Sequence, residues 1–144
     1  MDIKSIFSNY IQLINNISQE SELENLNTLF EHLENCFNND GRIFLAGNGG
    51  SAAIANHAVT DLSKLSKNDR LLNPISLVAN ISQISAHSND DGYENAFVLS
   101  AKNYKLNKKD VLIVISSSGN SKNIINLIKH SKQNGSKTFG LLGF

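Results

Sequence analysis

Five consecutive aliphatic residues, Val111-Leu112-Ile113-Val114-Ile115, run directly into Ser116-Ser117-Ser118-Gly119-Asn120-Ser121. A strand that is apolar at every position has no face to give to water, so it belongs in a parallel sheet covered by helices on both sides. The surrounding chain has the pattern for such a sheet. After the Asn39-Asp40-Gly41 turn, short β-rich runs alternate with helical stretches. The strands fall at Arg42–Ala46, Ile75–Ala79, Val111–Ile115 and Thr138–Leu142. Helices run from Ser51 to about Ser66, from Tyr93 to about Tyr104, and from Ser121 to Asn134 with Gly135 as the stop. The expected architecture is an α/β doubly wound parallel sheet, in which ligands bind beyond the carboxyl ends of strands near a switch in strand order. Gly47-Asn48-Gly49-Gly50-Ser51 and Ser116 to Ser121 both follow strands, where that rule places a site.

Ahead of this region lie two predicted helices. Ile6, Phe7, Tyr10, Ile14 and Ile17 form one apolar stripe, and Leu23, Leu26, Phe30, Leu33 and Phe37 form another after a capping-box pattern at Ser21 and Glu24. The stripes let the two helices pack together, while Ile11, Leu13 and Leu29 widen the apolar surface enough to suggest subunit contacts. With 144 residues the chain is expected to be one domain, residues 1–38 serving oligomer contacts and 39–144 forming the ligand-binding core. Basic and acidic residues number 13 each, so no net field favours nucleic acid. No apolar run spans a bilayer, no signal core is present, and the lone Cys36 reads as a core residue in a reducing compartment; a cytoplasmic location is expected.

The serine loop offers hydroxyls and the first amides of a helix to one point, which makes an anion site that needs no lysine. Ser116, Ser118 and Ser121 are candidate phosphate donors with Ser117 beside them; the plainer alternative is a serine-rich turn with Ser121 as an ordinary cap. In the first loop, Gly49 and Gly50 allow close backbone approach, and Asn48 and Ser51 add side-chain hydrogen bonds. The spacing of Gly47, Gly49 and Ala52 also fits a relaxed dinucleotide fingerprint, but the second strand ends in Val78-Ala79-Asn80 without the acidic ribose contact, so no nucleotide cofactor is expected. His57 and Asp61 share one helix face, as acid and base, as two metal ligands, or as a plain local pair. Asp90 lies in a predicted turn, Ser88 to Gly92, at the same sheet edge.

Gly47-Asn48-Gly49-Gly50-Ser51-Ala52-Ala53 with His57, Ser88-Asn89-Asp90 with Gly92-Tyr93-Glu94, Asp110-Val111-Leu112 and Ser116 to Ser121 closely resemble the phosphoheptose isomerases. These sugar isomerase (SIS) domain enzymes interconvert sedoheptulose 7-phosphate and glycero-manno-heptose 7-phosphate for surface polysaccharide, lipopolysaccharide or capsule. The resemblance implies a three-layer α/β/α SIS fold and a homotetramer built partly through N-terminal helices, with active sites shared between subunits. It implies Ser116, Ser118 and Ser121 as phosphate ligands, Asn48 and Ser51 as sugar or phosphate contacts, and Asp90 as a hydroxyl contact. Asp61 is then the proton-transferring base, and His57 with Asp61 a site for one zinc ion per subunit. Two departures stand out. The family has glutamate at the position of Asp61, and its members continue past Phe144 through a strand and a helix bearing a histidine and a glutamine. The core is therefore expected to be C-terminally incomplete. Two functions stay open: an aldose–ketose isomerase, or a sugar-phosphate-binding regulatory or assembly protein without turnover.

Overall fold

The computed structural model describes residues 2–17, 20–65 and 72–143. They divide into two compact units, Met1–His32 and Leu33–Phe144. The first holds helix α1 (Ile3–Ile17) and most of α2 (Glu20–Asn38). Ile3, Ile6, Phe7, Tyr10, Ile11, Leu13 and Ile14 of α1 are all exposed, and so are Leu23, Leu26 and Phe30 of α2. These residues are therefore not buried between the two stripes as expected, although Leu29, Leu33 and Phe37 of α2 are half-buried. Ser21 falls in the first turn of α2, and its capping side chain lies outside the described residues.

The second unit contains β1 (Ile43–Gly47), α3 (Gly50–Lys64), β2 (Pro74–Ser76), α4 (Ile81–Asp91), α5 (Tyr93–Asn103), β3 (Val111–Ser116), α6 (Lys122–Gln133) and β4 (Lys137–Leu142). The strands form one parallel sheet in the order β2-β1-β3-β4. From β1 the chain steps to β2 on one side, then crosses back past β1 to β3 and β4. Right-handed crossovers consequently place α3 on one face and α6 on the other, giving three layers. The order reverses between β1 and β3, and their carboxyl ends carry the two loops singled out above.

β1 and β3 are buried along their whole length, which is why they show no alternation in sequence. Phe44 and Ala46 of β1 and Leu112 and Val114 of β3 pack with Ala96, Phe97 and Ala101 of α5 and Ile124 and Leu127 of α6. Truncating a filled core position such as Leu112 to alanine removes about 2–5 kcal/mol. Cys36, at the end of α2, is buried, as a structural thiol should be. Its pKa is raised by burial and by the nearby Asp110 carboxylate, so the thiol stays protonated.

Two elements differ from expectation. β2 is shorter and begins at Pro74, and the Leu77 amide still reaches the Leu45 carbonyl at 2.9 Å. Proline has no N–H to give the ladder and is tolerated at the start of this edge strand. Helix α4 replaces the expected turn, so Asp90 sits in a helix. Asn80 caps α4, its side chain accepting the Gln83 amide at 3.0 Å. Among the described residues no helix is long and apolar enough to cross a membrane.

Candidate functional site

At the carboxyl end of β1 the backbone must turn sharply into α3. A Cβ on Gly47 would lie 2.6–2.8 Å from Ser51, so only glycine fits where the strand end meets the helix start. Gly49 then takes a positive φ of 53°, the left-handed region that glycine adopts without strain. Among the described residues, nothing lies within 4 Å of the positions a Cβ would take on Gly49 or Gly50. The backbone here is open to an incoming group.

At the end of β3 the chain turns through Gly119, with φ 64°. The buried Ser116 hydroxyl accepts the Gly119 amide at 3.1 Å, and the Ser118 hydroxyl accepts the Asn120 amide at 3.3 Å. Each hydroxyl accepts one bond from the loop itself and also carries an O–H, the donor polarity an anion requires. Ser121 occupies the N-cap of α6 but makes no side-chain bond to the helix. It is therefore not the ordinary cap that the sequence also allowed.

The two loops meet. Asn48, Ser51, Ser116, Ser117, Ser118 and Ser121 line one hollow of about 160 Å³. A second, of about 280 Å³, is lined by Asn48, Tyr93, Glu94, Ser121, Lys122 and Asn123. Asn48 and Ser121 line both. Lys122 brings a cation to the start of α6, beside the helix's free amides. The sequence offered roles for the serines and Asn48, but none for Asn123 or for Tyr93, which it singled out only within a motif. Asn48 and Asn123 exchange side-chain amide bonds of 3.0 and 2.8 Å, and the Tyr93 hydroxyl donates to Asn48 Oδ1 at 2.7 Å.

His57 and Asp61 lie farther along α3, with His57 Nε2 3.2 Å from Asp61 Oδ2. Their side chains are 78% and 58% exposed, and they line neither hollow. Asp90 is exposed on α4, where its Oδ1 accepts the Asn89 side-chain amide at 2.8 Å, and it too lies outside both hollows. The His57–Asp61 pair offers two ligands to a metal, whereas a protein zinc site uses three or four. Among the described residues no group of three His, Cys, Asp or Glu side chains gathers to hold an ion.

The SIS domain profile matches residues 7–143. A phosphoheptose isomerase from Helicobacter pylori is 41% identical over 126 residues, covering 87% of this chain and 63% of that protein. The chain thus spans under two thirds of this relative's length. A probable phosphoheptose isomerase from Thermoplasma volcanium is 33% identical over 137 residues, covering 94% of this chain and 69% of that protein. Among solved structures, a phosphoheptose isomerase from Neisseria gonorrhoeae superposes with a TM-score of 0.80 at 28% identity, covering 98% of this chain and 75% of that one. Another from Francisella tularensis gives 0.84 at 24% identity, with 97% and 73% covered, and bears on the fold alone. With a glycine loop and a serine loop meeting at the carboxyl ends of β1 and β3, and with relatives matching along nearly the whole chain, this protein belongs to the phosphoheptose isomerase family of SIS-domain proteins.

Proposed function

We propose that the protein is an aldose–ketose isomerase that converts sedoheptulose 7-phosphate to glycero-manno-heptose 7-phosphate for surface-polysaccharide heptose. The observation that carries this reading is the convergence of Asn48, Ser51, Ser116, Ser118 and Ser121 on one hollow, with hydroxyl donors and helix amides suited to a phosphate. Anchoring the phosphate there leaves the sugar to extend from the strand edge. Asp61 is the proposed base that moves a proton between adjacent carbons through an enediol, with His57 beside it to protonate or polarise the oxygen. Asp90 is the proposed contact to a sugar hydroxyl.

Such chemistry needs water excluded. The exposed His57 and Asp61 would have to be covered, and the open apolar faces of α1 and α2 favour further copies of the chain as the cover, a homotetramer in this proposal. Zinc on His57 and Asp61 would need further ligands from outside the described residues, so no step is assigned to it. A cytosolic setting accords with the single buried Cys36.

The exposure of His57 and Asp61 also favours a second reading, a protein that binds sugar phosphate without turnover. Incubation with sedoheptulose 7-phosphate, followed by NMR of the sugar carbons, separates the two. Appearance of the aldose, abolished in Asp61→Asn, supports the isomerase; saturable binding with no aldose supports the binding protein.

A further inference from the structure

The Ile124 amide is the third in helix α6, one that an N-cap side chain ordinarily accepts. It donates instead to Asn123 Oδ1 at 2.9 Å. A backbone N–H can only donate, so this bond fixes which end of the Asn123 amide is oxygen. Asn123 is 3% exposed, and its Nδ2 must then donate to Asn48 Oδ1, at 2.8 Å. Asn48 Oδ1 also accepts the Tyr93 hydroxyl at 2.7 Å, and Asn48 Nδ2 donates to Asn123 Oδ1 at 3.0 Å. An amide oxygen has two lone pairs and the nitrogen two protons. Both lone pairs of Asn48 and one proton are therefore used, and one N–H remains.

We propose that Asn123, together with Tyr93, is a positioning residue of the ligand site: it holds Asn48 as a fixed hydrogen-bond donor and, by capping α6 itself, releases the Ser121 hydroxyl to the ligand. Asn48 and Ser121 are the two residues common to both hollows, so one buried side chain sets the polarity of the ground they share. The ligand atom facing Asn48 must be an acceptor oxygen, on a phosphate, a carbonyl or a hydroxyl. This inference rests on the sugar-phosphate reading above for its ligand, though not for the amide lock.

The lock is tested first without ligand, by the side-chain amide signals of Asn48 in ¹⁵N-labelled protein. Resolved, slowly exchanging protons are expected, moving to the position of a solvent-exposed amide in Asn123→Ala and shifting in Tyr93→Phe. Tyr93 is half exposed, so its variant keeps the fold even where Asn123→Ala does not. Solvent-like signals in the unaltered protein overturn the proposal. Next, calorimetry with sedoheptulose 7-phosphate reads Ser121→Ala in two backgrounds. The expected loss is about tenfold in the unaltered protein. In Asn123→Ala, where the Ser121 hydroxyl returns to capping, it should be less than about twofold. The same loss in both backgrounds overturns the released-hydroxyl claim. Locked Asn48 signals in a protein that binds neither sedoheptulose 7-phosphate nor inorganic phosphate support the lock and overturn the sugar-phosphate reading.

Discussion

Arg42 and Asp110 clasp the end of the sheet opposite the glycine and serine loops: the Arg42 amide and Nε donate to Asp110 Oδ1 at 2.9 and 3.1 Å, and Nη2 donates to Oδ2 at 2.8 Å. The Asn107 amide also donates to Oδ2, at 2.9 Å, so the buried carboxylate has four donors. The same guanidinium reaches the Tyr104 and Lys105 carbonyls and lies over the Phe44 ring. Asp110→Ala removes the counter-charge of the guanidinium and the acceptor of two backbone amides at once. A loss of about 3–5 kcal/mol is expected in urea unfolding. A loss below about 1 kcal/mol would show that the clasp contributes little.

Ser100 presents the opposite case. Its hydroxyl is fully buried in α5 and has no hydrogen-bond partner among the described residues. Burying an unpaired hydroxyl costs about 1–3 kcal/mol by mutational measure, so Ser100→Ala should leave stability unchanged or raise it by up to that amount. Thermal unfolding checks this, and clear destabilisation would reveal a bonded partner.

His130 links stability to pH. Burial, and then the positive charge of Lys102, lower its pKa in the folded protein. As pH falls, the unfolded chain takes up this proton first, near its ordinary value of about 6.5. The contribution to stability is thus present above that value and lost as pH falls through the lower folded value. Urea midpoints should drop as pH falls below about 6.5, and the drop should shrink in His130→Gln. An equal drop in both proteins would assign it to other groups.

The sheet and its loops were legible because their signals are local. The unbroken aliphatic run Val111–Ile115 declares a buried strand, and glycines and serines immediately after strands declare turns. Helix α4 escaped because it buries no residue completely, leaving Ile81 and Ile84 too few to draw a stripe; the signal that could have found it was Asn80 three residues before Gln83. Asn123 escaped for a different reason. It reads as one more polar residue on an amphipathic helix, and its partner Asn48 is 75 positions away. Pairings of that kind are set by topology. The stripes on α1 and α2 were correctly seen as apolar, but nothing local says whether a neighbour in the same chain covers them.

Asp61→Asn separates chemistry from binding. The amide keeps the shape and removes the carboxylate proposed as the base, so turnover should fall at least about a hundredfold. Affinity for the sugar phosphate should stay within about threefold, because Asp61 does not line the hollow with the serines. Comparing the rate of aldose formation with the calorimetric dissociation constant checks this. Full activity in the variant would move the proton transfer to another group.

Calorimetric titration with sedoheptulose 7-phosphate tests the central claim, that the two strand-end loops hold a phosphorylated sugar. Ser116→Ala and Ser118→Ala each remove a hydroxyl that the proposal aims at the phosphate as a donor. That is a loss of about 1.5–3 kcal/mol, or roughly ten- to a hundredfold in affinity. Binding by the unaltered protein and that loss in each variant are the predicted result; unchanged affinity in both would contradict the account and place the site elsewhere.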